Sequence, residues 1–161
     1  MTKYHKKKMK TQFRCLLLIL ILNVGNQYNA LGQGVDSTNS SVTNVSFLSD
    51  GLLVKGWLFM PPDSINKRLP AIVMAPGFSG TKECNYQFFA ATFSKGGFAV
   101  LLFDYPNFGE SSGSVRYEVD PWQQIQAYRD GISYLESRDD IDINRIGVWG
   151  GSYSGGHALV V

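Results

Sequence analysis

Three short apolar runs punctuate the chain after Pro70: AIVMA (Ala71–Ala75), FAVLLFD (Phe98–Asp104) and IGVW (Ile146–Trp149). None alternates polar with apolar residues, so each reads as a strand covered on both faces. The segments between them have helical spacing. NYQFFAATFSKGG sets Phe89 and Phe93 one turn apart and stops at Gly96 or Gly97. DPWQQIQAYRDGISYLESR opens with Asp120 as N-cap and Pro121 at the first helical position. Its residues Trp122, Ile125, Tyr128, Ile132 and Leu135 predict one core-facing stripe. Strand and helix alternating in this way imply a parallel sheet with right-handed crossovers. Ahead of it, VSFLSDGLLVKGWLFMP joins two strand-like runs at Ser49-Asp50-Gly51, a hairpin signal. The expected architecture is α/β, a mostly parallel sheet with an N-terminal antiparallel hairpin.

The first residues have a different character. MTKYHKKKMKTQFR carries six Lys and Arg and no acid, and the short apolar run CLLLILIL follows. Ala30-Leu31-Gly32 supplies small residues at an exit. This arrangement describes a secretory signal peptide over residues 1–32. The apolar run is far shorter than the roughly 20 residues that span a bilayer. An exported, periplasmic or extracellular protein with no membrane span after cleavage is expected. Residues 33–44 are rich in Ser, Thr and Asn and read as a polar linker, leaving 45–161 as the folded part.

Cleavage reverses the charge argument. Of 15 Lys and Arg, six lie before residue 33, leaving 9 against 13 acids, or about −4. No basic cluster remains, so nucleic acid is not an expected partner. No spacing of His, Cys, Asp or Glu suggests a metal, and no cofactor is implied. Cys15 lies in the signal segment and Cys84 stands alone, which excludes an intrachain disulfide. The plain reading of Cys84 is a small buried thiol.

The densest signal is RIGVWGGSYSGGHAL. A strand, then Gly-x-Ser-x-small, then an apolar helix is the setting of a nucleophile elbow, a turn tight enough to push a serine hydroxyl away from the sheet. With Ser152 as nucleophile, Gly150 and Ser154 take the small flanking positions. The competing register, with Ser154 as nucleophile, puts the turn two residues further from the strand end. A second Gly-rich turn, APGFSG, leaves the strand at Ala71–Ala75. Acyl transfer needs a second oxyanion donor from such a loop. The backbone N–H groups of Phe78 and Tyr153 are the two candidates.

AIVMAPGFSGTKE, FAVLLFDYPNFGESSG, DPWQQIQAYRDGISYL and RIGVWGGSYSGGHAL together resemble successive blocks of the α/β-hydrolase superfamily. They are most similar to its dienelactone-hydrolase-like and X-Pro-dipeptidyl-peptidase-like serine hydrolases. The resemblance implies Ser152 as nucleophile and Phe78 and Tyr153 as oxyanion donors. Pro76 is a departure, since many relatives carry His before the Gly. In that superfamily an acid and then a histidine follow the nucleophile. Here only YSGGHALVV follows Ser152, with no acid and with His157 carried down the helix away from the hydroxyl. Asp104, Glu110, Asp120 and Asp130 have capping or loop-shaping explanations. The expectation is an α/β-hydrolase fold truncated after the nucleophile elbow, inactive as 161 residues, from a serine hydrolase acting on a small-molecule or peptide ester, thioester or amide. The alternatives are a non-catalytic or vestigial binding domain and an X-Pro-type or acylaminoacyl peptidase. Tyr86, Phe88, Tyr105 and Phe108 are candidates for lining an acyl pocket.

Overall fold

A computed structural model describes residues 40–62, 64–65 and 67–161. The expected signal peptide and most of the expected linker lie outside the described residues. Ser41–Ser49 form β1 and Leu52–Met60 form β2. They pair antiparallel, Ser49 opposite Leu52, around Asp50 (φ 48°) and Gly51 (φ 76°). Two left-handed central residues make the turn whose twist matches the flanking strands. β1 begins earlier than expected: Ser41–Asn44, assigned to a linker from their polar side chains, lie opposite Trp57–Met60. A ladder is made by backbone groups, and this strand lies at the sheet edge, where polar side chains stay in water.

β3 (Leu69–Ala75), α1 (Tyr86–Lys95), β4 (Ala99–Phe103), α2 (Pro121–Glu136), β5 (Ile141–Gly150) and α3 (Tyr153–Ala158) follow. The sheet order is β1-β2-β4-β3-β5. The hairpin joins β4 antiparallel through β2, while β4, β3 and β5 run parallel. β4 is wholly buried because both sheet faces are covered. On one face Leu101 and Phe103 pack with Val73, Ala127, Tyr128 and Leu135, under α2. On the other, Val100 and Leu102 pack with Met74 and Ala90, under α1. Burying each Leu or Phe of β4 stabilises the fold by roughly 1.5–3 kcal/mol.

Asp120 caps α2 as its type predicts, its Oδ1 accepting from the N–H of Trp122 (2.9 Å) and Gln123 (3.2 Å). The stripe on α2 is corrected at one end. Ile125, Tyr128 and Leu135 are buried, but Trp122 is 72% exposed, and Gln124, Ala127 and Gly131 are buried instead. At 3.6 residues per turn Trp122 lies nearly opposite Gly131, which puts this first-turn aromatic on the solvent side of the helix.

Candidate active site

β5 ends at Gly150 and α3 begins at Tyr153. Ser152, between them, has φ 58° and ψ −123°. That conformation strains any residue with a side chain and needs surrounding structure to hold it. Gly150 provides part of the hold. A Cβ there would overlap the carbonyl of Ser154 and approach Gly155 N to 2.7 Å, so α3 folds back onto β5 only over a bare Cα. Ser152 is exposed, whereas Ser154 is fully buried. Ser154 Oγ lies 3.0 Å from the carbonyl oxygen of Ala75 and 2.9 Å from that of Gly151. Its single proton bridges the end of β3 and the residue before Ser152, so this hydroxyl is committed to the backbone.

The turn after β3 lies against the elbow. A Cβ built on Gly77 would come within 3.1 Å of the Gly151 oxygen and 3.2 Å of Ser152 Cβ. The Gly80 N–H donates to the Gly77 oxygen (3.1 Å), with Ser79 left-handed at φ 57°. The Gly77 N–H donates to the Tyr86 hydroxyl at 2.8 Å. The Phe78 ring is 65% exposed and meets the Tyr153 ring edge-on, centroids 5.6 Å apart. Sequence positions 78 and 153 are therefore brought together beside Ser152. The Tyr153 N–H opens α3 and has no partner within that helix.

His157 is not brought to the serine hydroxyl. It is 5% exposed, with Nε2 3.0 Å from Gln124 Oε1. A carbonyl oxygen facing Nε2 puts the imidazole proton there. Burial holds the His157 pKa below the ordinary histidine value, so the ring is neutral at pH 7. Beneath the elbow, the Tyr128 hydroxyl donates to the Trp149 oxygen (2.9 Å), and burial pushes its pKa up to about 12. Burial raises the Tyr105 hydroxyl further, and it is buried without a hydrogen-bond partner among the described residues.

The acids upstream serve the frame. Asp120 is the cap, and Asp130 Oδ1 accepts from Gln126 (3.0 Å). Asp104 accepts from the backbone N–H of Lys82 (2.7 Å), from Lys82 Nζ (2.7 Å) and from the Glu110 N–H (3.0 Å). Lys82 Nζ also reaches Glu110 Oε2 at 2.6 Å and lies 5.0 Å from the Trp57 ring centre. Burial alone would lower the lysine pKa, but the hydrogen bonds and charges of Asp104 and Glu110 outweigh it and raise it. The hydrogen bond from Lys82 holds Glu110 below the usual carboxylate range. This cluster ties the segment after the Gly77–Gly80 turn to the loop after β4. Its only trace in the sequence is a Lys after one Gly-rich turn and an Asp at a strand end, too far apart to form a motif.

Of the aromatic pocket candidates, Tyr105 and Phe108 belong to the core, Phe88 packs against Phe89, and Tyr86 alone touches the turn beside Ser152. Cys84, expected to be buried, is exposed, because it lies in the turn before α1 rather than on an element facing the sheet.

Strand order, elbow and the turn after β3 together define an α/β hydrolase. Residues 50–161 match the X-Pro dipeptidyl-peptidase (S15 family), and the chain belongs to that family. It is 42% identical over 125 residues to thiohydrolase aneE of Aspergillus aculeatus, covering 77% of this chain and 38% of that protein. It is 35% identical over 129 residues to the quorum-quenching protein AidA of Acinetobacter baumannii, covering 80% of this chain and 42% of that one. Among solved structures, the alpha/beta hydrolase GrgF from Penicillium sp. sh18 superposes with a TM-score of 0.63 at 31% identity, over 68% of this chain and 37% of its own. The chain thus spans about two-fifths of the length of the relatives it matches.

Proposed function

We propose that this chain carries the nucleophile half of the site of an exported serine hydrolase that cleaves an ester, thioester or amide through an acyl-enzyme. The carrying observation is the exposed Ser152, at φ 58° and ψ −123°, beside the Gly77–Phe78 turn. In this reading Ser152 Oγ attacks the substrate carbonyl carbon and gives its proton to a base. The negative oxygen that forms accepts hydrogen bonds from the N–H groups of Phe78 and Tyr153. Collapse expels the leaving group with that proton, and water then releases the acid. Oxyanion donors of this kind contribute on the order of 10²–10³ in kcat each.

His157, neutral and held by Gln124, is not the base in this proposal. The base and its orienting carboxylate are assigned to sequence outside these 161 residues. The name of thiohydrolase aneE favours thioesters, and the family's description favours a peptide bond after proline. Residues 1–32, with their basic start and short apolar run, support export.

The test is turnover by the full-length protein on acyl thioesters, p-nitrophenyl esters and an X-Pro dipeptide anilide, each beside Ser152→Ala. The proposal expects at least one class to be hydrolysed and that activity to vanish in Ser152→Ala. Activity that persists in Ser152→Ala contradicts it. The 161-residue chain alone is expected to hydrolyse none of them.

A further inference from the structure

We infer that Tyr86 is a positioning residue for the oxyanion loop: its hydroxyl locks the one glycine whose rotation would swing the Phe78 N–H away from Ser152. The inference rests on the proposed roles of Ser152 and Phe78. Gly77 sits in a tight place: a Cβ there would lie 3.0 Å from the Tyr86 hydroxyl, 3.1 Å from the Gly151 oxygen and 3.2 Å from Ser152 Cβ, so its neighbours would have to give way by a few tenths of an ångström. Close approach therefore selects the residue with the least conformational restraint, at the point where the N–H of the next residue has to be aimed.

Two hydrogen bonds restore the restraint. The peptide unit after Gly77 contains both its carbonyl and the Phe78 N–H, pointing in opposite directions because the unit is planar and trans. The Gly80 N–H holds that carbonyl inside the turn at 3.1 Å, so the Phe78 N–H faces out of it. The peptide unit before Gly77 has one N–H, and Tyr86 accepts it at 2.8 Å. With both flanking units tied, neither dihedral of Gly77 turns freely. Pro76, on the other side, has no N–H to offer an alternative tie.

The phenol also closes off the space beside the elbow. A Cβ on Gly151 would be 3.3 Å from Tyr86 Cε1 and 3.5 Å from its hydroxyl oxygen. Its ring packs edge-on against Trp149, centroids 6.1 Å apart. One half-buried side chain thus holds the first residue of the oxyanion turn and fills the space beside the residue before the nucleophile.

The test is Tyr86→Phe in the full-length protein, which keeps the ring and removes the acceptor. Kinetics are expressed per folded molecule, with the folded fraction and Tm read by circular dichroism. A loose oxyanion donor affects the transition state more than substrate binding, so kcat is expected to fall by roughly tenfold with KM within about twofold. A kcat within about threefold of the parent overturns the inference, as does a loss carried by KM alone. Ser152→Ala is run alongside. If it keeps its activity the proposed function has failed, whereas an inactive Ser152→Ala with an unaffected Tyr86→Phe leaves that function standing and removes only the role of Tyr86.

Discussion

If the elbow is held against its own backbone preference, replacing the serine should reveal the strain as stability. Ser152 makes no capping hydrogen bond from its side chain, so Ser152→Ala removes a hydroxyl without removing a cap. Alanine keeps its Cβ and with it the strain at φ 58°, ψ −123°. Ser152→Gly removes both. A non-Gly residue in such a region costs of order 1–3 kcal/mol. Glycine gives back about 0.5–1 kcal/mol through the larger entropy of its unfolded chain. The Gly variant is therefore expected to exceed the Ala variant by about 1 kcal/mol, within a span of about 0–2.5 kcal/mol set by those two terms. Equilibrium urea unfolding of the full-length protein reads this net difference, relief of strain less the entropy of the unfolded glycine chain. Both are expected to be inactive, so the comparison is free of any ligand contribution. A Gly variant less stable than the Ala variant would refute the claim that this bend stores strain.

Ser154→Ala leaves the carbonyls of Ala75 and Gly151 without their shared donor, and is expected to cost about 1–3 kcal/mol by the same unfolding measurement. Lys82→Met strands the buried carboxylate of Asp104 and should destabilise by about 3–5 kcal/mol. The pH dependence has two ends. Glu110 is lowered, so its contribution is present above pH 4.5 and lost as pH falls through its folded value. Lys82 is raised, so its contribution is present below pH 10.5 and lost as pH climbs through its folded value. The stability gap between the parent and Glu110→Gln should accordingly narrow as pH falls from neutral to about 3, in unfolding curves taken at each pH.

Much of this was legible in advance for identifiable reasons. β3 and β4 read as strands because both of their faces are covered, which makes the apolar run continuous. Asp50-Gly51 announced the hairpin because few residue pairs tolerate two left-handed positions. The tight turn between β5 and α3 was visible in its glycines, and in it Ser152 is exposed while Ser154 is buried. What stayed hidden depends on partners far away in the chain. The tie between Lys82 and Asp104 spans 22 residues and leaves no period. Tyr86 looks like any helical aromatic until Gly77 is found against its hydroxyl. Trp122 shares the spacing of the stripe but not its face, and Ser41–Asn44 join a sheet through backbone groups that composition does not register.

The proposed chemistry belongs to the hydroxyl of Ser152 and not to that of Ser154. The decisive measurement treats full-length protein with a fluorophosphonate probe, digests it and maps the adduct by mass spectrometry. One adduct is expected, on Ser152, and none in Ser152→Ala even though Ser154 is intact. An adduct on Ser154, or none on an enzyme that still turns over substrate, would contradict it.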